Sequence, residues 1–224
     1  MPEQGRFIVF EGLDCSGSTT QANLLYQRLM GERRRVWITS EPSSGPVGHL
    51  IRLFFSGRVI LPQDPVVRDR QFAYLFAADR YDHLYNPTVG ILKFLREGID
   101  VISTRYVLSS FAYNAESIEE EPFIRGLNVG FPDPDYLVYL DCPVSVSIER
   151  ISASRPNRDT YENRAHLTRA ASNYEHVLSQ YSSPLLRIDA REPKKEIAKK
   201  VFKFISERDA SIGRSNSTLS RQSQ

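Results

Sequence analysis

The feature that most constrains the fold is an alternation of short apolar runs with longer helical stretches. Each run has about four or five residues, mostly β-branched or aromatic, and most are apolar on both faces, as central strands of a parallel sheet tend to be. Strand and helix in repetition predict right-handed crossovers with helices on both faces of the sheet, a three-layer α/β/α fold. The predicted strands are at residues 7–10, 36–39, 100–103, 136–140 and 185–188.

Amphipathic spacing between these runs predicts the helices. Three of them fall between the second and third strands, which leaves helical mass for a second substrate pocket. The predicted helices are at residues 19–30, 64–85, 88–96, 144–151, 166–181 and 194–205, with a further one that ends at residues 56–57. Residues 206–224 are rich in serine and poor in large apolar side chains, so we expect a flexible tail after a single domain at residues 1–205.

Composition excludes several classes of protein. The 224 residues hold 29 Lys and Arg against 27 Asp and Glu, too even a balance for a non-specific binder of nucleic acid or membrane surfaces. No apolar run approaches the roughly 20 residues of a membrane span. Cys15 and Cys142 have no metal-ligand spacing. We therefore expect a cytoplasmic protein without a disulfide scaffold or structural zinc.

A glycine-rich segment, here called the phosphate loop, follows the first predicted strand. Residues 12–19 read GLDCSGST and fit the pattern G-x-x-x-x-G-K-[ST], except that Ser18 replaces the lysine. The N–H groups of such a loop surround an anion, and the helix start favours phosphate. A glycine-rich turn without a ligand is the alternative. The predicted ATP-binding residues are Gly12, Leu13, Asp14, Cys15, Ser16, Gly17, Ser18, Thr19 and Thr20, with the Thr19 hydroxyl on Mg²⁺.

Several segments resemble those of thymidylate kinases, in the same order along the chain. The likeness covers about residues 5 to 205. The segments are FEGLDCSGSTTQ (10–21; FEGxDxxGKTTQ in the family), TSEP (39–42; TREP), LFAADR (75–80; the same), RYVLSSFAYN (105–114; DRYxxSxxAYQ), PDYLVYLD (134–141) and an arginine-rich stretch (150–162) where the family has a lid.

The resemblance implies a P-loop nucleoside monophosphate kinase that transfers phosphate from ATP to dTMP, giving ADP and dTDP. It also implies Mg²⁺ with the ATP, and a homodimer. Arg105 is implied at the dTMP phosphate, as a catalytic residue, and a bidentate guanidinium at the carboxyl edge of the sheet suits that role. The implied dTMP-binding residues are Asp14 (3′-OH), Glu41, Phe76, Arg80, Arg105, Ser109, Tyr113 (deoxyribose) and Asn114.

Some of these residues have a second interpretation. Phe76 and Arg80 lie one helical turn apart, as a ring that stacks on thymine and a cation at its edge require. Phe76 could instead belong to an apolar core stripe, and Arg80 could be a surface charge. Asn114 is one methylene shorter than the family's Gln, so its contact with the base could be lost or bridged by water.

Two departures from the family pattern are at positions expected to act in phosphoryl transfer. Ser18 removes the loop lysine, and Thr104 replaces the aspartate before Arg105. We expect Glu11 and Asp14 to be better placed than Asp100 to hold metal-bound water, because Asp100 lies about 13 Å along the strand from Thr104. The lid arginines Arg150, Arg155 and Arg158 are implied near the phosphates; we expect Arg155 and Arg158 to supply the missing charge.

Two other functions stay open. Loss of both charges would suit a non-catalytic nucleotide-binding regulator, although such a protein has no use for a dTMP pocket. Ser40 and Asn114 differ from the family near the expected phosphate and base, which would suit a kinase of another monophosphate, such as dUMP or dGMP.

Overall fold

Five parallel strands form the centre of the fold, in the order β2-β3-β1-β4-β5. The computed structural model that shows them describes residues 4–115, 117–154 and 164–221. Each predicted strand is found, extended by one or two residues at its carboxyl end. The strands are β1 (Phe7–Gly12), β2 (Val36–Ser40), β3 (Asp100–Thr104), β4 (Tyr136–Asp141) and β5 (Leu185–Asp189).

Helices cover both faces of this sheet, so the predicted three-layer architecture is confirmed. Helix α3 begins where Asp64 accepts N–H bonds from Val66 and Val67, with Pro65 in the first turn, a favourable start for a helix. The helices are α1 (Ser18–Gly31), α2 (Pro46–Phe55), α3 (Pro65–Tyr85), α4 (Ile91–Arg96), α5 (Val107–Asn114), α6 (Glu121–Asn128), α7 (Val144–Ser154), α8 (Arg164–Ser179) and α9 (Lys194–Arg221).

Alternate residues of the strands enter two different cores. Phe7 and Val9 of β1 pack with residues of α4, α5 and α8, whereas Ile8 and Phe10 pack with α1 and α9. Successive side chains of a strand point to opposite faces, so a strand between two helical layers must be apolar throughout. This explains why the strands read as continuous apolar runs.

The order of the strands creates the crevice in which ligands of open α/β sheets bind. The chain passes from β3 on one side of β1 to β4 on its other side. Phe10 pairs with Thr104 and Gly12 pairs with Leu140, so the segments after β1, β3 and β4 leave the sheet at the same edge. The phosphate loop and Arg105 therefore begin side by side.

The last helix differs from the prediction. It was expected to end at residue 205, but α9 continues to Arg221. Within that continuation, Asp209 accepts a hydrogen bond from the Tyr136 hydroxyl at 2.5 Å and pairs with Arg6. The boundary of the packed chain therefore lies beyond residue 205, because Asp209 is held by two groups near the amino edge of the sheet. Across the described ranges, no helix is both long and apolar enough to span a bilayer.

Candidate active site

The phosphate loop joins β1 to α1 through backbone conformations that favour glycine. Gly12 has φ of +150° and Gly17 has φ of +108°. A Cβ on Gly12 would lie 2.8 Å from the Leu140 carbonyl oxygen and 2.7 Å from Ser16 Oγ, so a side chain there has no room. Cys15 adopts φ of +56°, a region that non-glycine residues enter at a cost. The loop is thus a strained turn held by its surroundings.

Side chains of helix α7 donate hydrogen bonds to three consecutive carbonyl oxygens of this loop. Ser147 Oγ donates to the Asp14 carbonyl at 2.5 Å, and Arg150 Nη1 donates to those of Cys15 at 3.3 Å and Ser16 at 3.2 Å. Arg150 Nη2 also donates to the Ala190 carbonyl at 2.9 Å, which ties the loop to the end of β5. Ser147 was missed from the sequence. Its three-residue spacing from Arg150, which puts both on one helical face, is the signal that could have found it.

The predicted ATP-binding residues fall into a buried part and an open part. Leu13 and Ser16 are buried, and Ser16 Oγ lacks a hydrogen-bond partner among the described residues. Ser18 is half-buried at the first position of α1, and Thr19 and Thr20 are exposed in that first turn. The hydroxyl groups at the start of α1 are therefore open to a ligand.

Arg105 lies directly across the crevice from the phosphate loop. Its N–H donates to the Phe10 carbonyl at 2.8 Å, and its φ of +68° turns the chain sharply after β3. The guanidinium pairs with the Asp14 carboxylate and donates to Ser109 Oγ at 3.2 Å. It also lies 4.7 Å above the centre of the Tyr113 ring. The structure thus brings together Asp14, Arg105, Ser109 and Tyr113, four of the predicted residues.

Glu11 is not placed as expected. Its side chain is fully buried, and its Oε1 accepts the backbone N–H groups of Tyr106 at 2.8 Å and Ser109 at 3.2 Å. Its Oε2 accepts the hydroxyl groups of Ser109 at 2.6 Å and Tyr174 at 2.9 Å. Burial raises the pKa of Glu11, although these bonds and Arg105 partly oppose it. The prediction that Glu11 holds metal-bound water is therefore wrong, because both oxygens anchor α5 and α8.

The position of Asp100 agrees with its exclusion from the site. It is buried at the first residue of β3, where Arg6 Nη2 donates to it at 2.5 Å and Arg34 Nε at 2.7 Å. Burial opposes the charged form of Asp100, but the hydrogen bonds from Arg6 and Arg34 outweigh it and lower the pKa. Thr104 ends the same strand at the other edge, so Asp100 does not replace the family's aspartate there.

Arg80 lies in the interior, whereas the resemblance implied a contact with dTMP. Its side chain is 0% exposed and forms an ion pair with Glu41, whose Oε2 lies 2.5 Å from Nη2. Its remaining donors reach Ser110 Oγ at 3.0 Å, the Tyr106 carbonyl at 3.0 Å, and Asn128. Neither the surface-charge interpretation nor free access to a base fits this environment. A bond from Arg80 to thymine would have to replace one of these bonds.

Phe76 and Asn114 have different access to the crevice. The Phe76 ring is half-buried, with ring centres of Phe72 at 6.3 Å and Phe55 at 6.4 Å. It therefore belongs partly to an aromatic cluster, as the second interpretation proposed, and the rest of the ring is exposed. Asn114 is buried at the end of α5. Arg155 and Arg158 lie outside the described residues.

His166 packs on Tyr113, on the nucleoside side of the crevice. Its ring is 5.5 Å from that of Tyr113, between ring centres, and Arg169 Nη2 lies 3.0 Å from its Nδ1. Burial, followed by the charges of Arg169, Arg68 and Arg105, lowers the pKa of His166 to about 3. The imidazole is therefore neutral at physiological pH and acts as a packing surface for Tyr113.

Comparison with known proteins assigns the family. The family model for thymidylate kinase matches residues 10–201. The Akkermansia muciniphila thymidylate kinase is 35% identical over 207 residues, covering 92% of this chain and 93% of its own. A Treponema pallidum protein, provisionally named as a thymidylate kinase, is 33% identical over 206 residues, covering 90% and 95%.

A solved structure shares the fold. Thymidylate kinase from Candida albicans superposes with a TM-score of 0.74, covering 92% of this chain and 93% of its own at 21% identity. This likeness extends over nearly the whole length of both chains, so it shows that they share one fold. The chain belongs to the thymidylate kinase family.

Proposed function

We propose that this chain transfers the γ-phosphoryl group of ATP to dTMP, giving ADP and dTDP. The observation that carries the proposal is the pairing of Arg105 with Asp14, which joins the residue expected at the dTMP phosphate to the loop expected around the ATP phosphates. Phosphoryl transfer depends mainly on positioning and on stabilising charge, so a donor loop and an acceptor arginine must lie side by side.

The acceptor half of the site follows from the same residues. Arg105 binds the dTMP phosphate with two parallel N–H bonds, in exchange for its present bond to Asp14. The Tyr113 ring lies beneath the deoxyribose, and the Asp14 carboxylate then accepts a hydrogen bond from the 3′-OH. The open part of the Phe76 ring stacks on thymine. Ser109, held between Arg105 and Glu11, orients the guanidinium.

Magnesium would accompany the ATP. Mg²⁺ is usually held by a few protein oxygens together with substrate phosphates, so one well-placed hydroxyl is enough when the ion arrives with the nucleotide. Thr19, exposed in the first turn of α1, offers that hydroxyl. Among the described residues no group of three carboxylate, imidazole or thiol ligands could hold the ion alone. The bound ion would neutralise phosphate charge during transfer.

The positive charge that acts on the transferring phosphoryl group, which the family's lysine at position 18 would supply, is proposed to come from Arg155 and Arg158 of the lid. In the sequence, Arg155 and Arg158 follow directly after α7, the helix whose Arg150 contacts the phosphate loop. Replacing both with alanine should reduce turnover by about 10³-fold or more, the range for an arginine that stabilises the transferring group. Native turnover in that double variant would refute this role.

Two other candidates have specific support. Ser18 and Thr104 lack the family's charges, which suits a non-catalytic nucleotide-binding regulator, and the altered residues Ser40 and Asn114 suit a different acceptor. ADP release from ATP and Mg²⁺, measured over dTMP, dUMP, dGMP and other monophosphates, separates them. The proposal expects the highest kcat/KM with dTMP. No release with any acceptor would support the regulator, and a preference for another monophosphate would support the third candidate.

A homodimer is proposed through helix α3. Tyr74, Tyr81 and Tyr85 are 57%, 62% and 42% exposed, and their spacing puts them on one face of that helix. Exposed apolar faces of this kind indicate a protein interface. Sedimentation of Tyr81→Glu should show a monomer where the native chain is a dimer. A cytoplasmic location is proposed from the charged nucleotides that the reaction uses.

A further inference from the structure

Three successive peptide carbonyls of the phosphate loop point toward α7. The acceptors are the carbonyls of Asp14, Cys15 and Ser16, and the donors are Ser147 and Arg150. In a trans peptide the carbonyl and the N–H point in opposite directions. The N–H of Gly17 shares its peptide with the Ser16 carbonyl, so it points away from Arg150 and into the space where this type of loop binds phosphate.

Arg150 is a cation in direct contact with two of these peptides. A hydrogen bond from a charged donor is stronger than a neutral one, and it polarises the peptide that accepts it. Of the two N–H groups on these peptides, that of Ser16 donates to the Leu13 carbonyl at 3.0 Å, so the polarised N–H group on the far side of the loop is that of Gly17. The bond from Arg150 to the Ala190 carbonyl fixes the guanidinium, so this charge needs no rearrangement when a nucleotide binds.

The loop also lacks its own cation, because Ser18 stands where the pattern has lysine. We propose that Arg150 is a positioning residue which, through the Cys15 and Ser16 carbonyls, supplies the fixed positive charge that the phosphate loop lacks at Ser18. This inference rests on nucleotide binding by the loop, as in the proposed function. It differs from the role of Arg155 and Arg158, because a fixed charge behind the loop strengthens nucleotide binding and a lid arginine acts on turnover.

The test measures Mg²⁺·ADP binding by calorimetry in Arg150→Gln, Arg150→Lys, Ser18→Lys and the double variant Arg150→Gln/Ser18→Lys. Arg150→Gln should weaken binding by about 10- to 100-fold, the range for a lost hydrogen bond to a charged group. Arg150→Lys keeps the charge, so its ADP affinity should lie between that of Arg150→Gln and that of the native chain. Ser18→Lys should recover most of the loss in the Arg150→Gln background and add much less to the native chain.

Arg35→Gln is the matched control. Arg35 also donates to a backbone carbonyl, that of Glu97 at 2.9 Å, but it precedes β2 at the opposite edge of the sheet. The Arg35→Gln variant should have the same ADP affinity as the native chain. Thermal unfolding of each variant separates lost binding from lost folding.

Two results would overturn the inference. One is native ADP affinity in folded Arg150→Gln. The other is a gain in ADP affinity from Ser18→Lys that is the same, within about twofold, in the native chain and in Arg150→Gln, as expected for two independent sites. If Arg150→Gln does not fold, the pair Arg150→Lys and Arg150→Lys/Ser18→Lys provides the same comparison. Since ADP binding needs no dTMP, a chain that passes this test but fails to phosphorylate dTMP would contradict only the proposed function.

Discussion

The Tyr113 hydroxyl oxygen accepts the backbone N–H of Asp14 at a distance of 3.1 Å. One end of helix α5 is thus hydrogen-bonded to the phosphate loop, and the same Tyr113 ring lies under the Arg105 guanidinium. The proposed acceptor site and the proposed donor site therefore share a side chain. A change at Tyr113 should affect both substrates.

Tyr113→Phe tests this shared role. The variant leaves the Asp14 N–H without its acceptor, and an unsatisfied buried donor costs about 1–3 kcal/mol of stability. We expect KM to rise for ATP as well as for dTMP, with a lower free energy of unfolding in urea. Tyr85→Phe is the control, since it removes only a surface hydroxyl that donates to the Gly130 carbonyl and keeps the ring on the proposed dimer face. A change in KM for dTMP alone would contradict the shared role.

Arg105→Lys tests the guanidinium at the acceptor site. Lysine keeps the charge but cannot bind a phosphate through two parallel N–H groups, nor lie flat on the Tyr113 ring. We expect kcat/KM for dTMP to fall about 10²- to 10³-fold, the range for loss of one well-placed donor. Arg187→Lys, at an exposed ion pair, is the control and should behave as the native chain. Less than about a fivefold change in Arg105→Lys would count against its role.

Arg80→Leu tests whether this arginine supports the fold. Removing it leaves the Glu41 carboxylate buried without its partner, which typically costs about 3–5 kcal/mol. Arg80→Leu/Glu41→Leu should recover a large part of this loss in urea unfolding. Arg70→Leu breaks an exposed pair with Glu120 and should cost at most about 1 kcal/mol. If Arg80→Leu raised KM for dTMP without loss of stability, the arginine would be a binding residue, as the resemblance implied.

His166 predicts a pH dependence of stability. Its pKa is lowered to about 3 by burial and by nearby arginines, whereas in the unfolded chain it is about 6.5. Between these values the unfolded state binds a proton that the folded state does not, so stability is lost as pH falls below about 6.5, by up to about 1.4 kcal/mol per pH unit.

Urea unfolding at pH 7.5, 6 and 5 checks the His166 contribution. His166→Phe should flatten the dependence on pH, because the aromatic packing on Tyr113 stays while the titrating group is lost. His49→Phe, at an exposed position, should leave the slope as it is in the native chain. An equal slope in His166→Phe would exclude His166 as the source.

The sequence allowed the strands to be predicted because their signal is local. Residues such as Val9 and Phe10 are apolar because both faces of β1 are covered, and this pattern is visible without knowledge of the partners. The glycine positions 12 and 17 were predictable for the same reason, since the turn itself requires them.

The environments of Arg80 and Glu11 were not predictable from local signals. Arg80 pairs with Glu41, which is 39 residues away in the chain, and Glu11 binds groups of Ser109 and Tyr174 from two distant helices. No periodicity records such pairings, because they arise only when α3, α5 and α8 pack together. The resemblance to a family therefore pointed to these positions, but it did not show which residues they contact.

Transfer of labelled phosphate tests the central claim most directly. ATP that carries ¹⁸O in its γ-phosphoryl group would be incubated with Mg²⁺, dTMP and the native chain, and the products analysed by mass spectrometry. The account predicts dTDP whose β-phosphoryl group carries the label, together with unlabelled ADP. Unchanged dTMP, or label found only in inorganic phosphate, would contradict it.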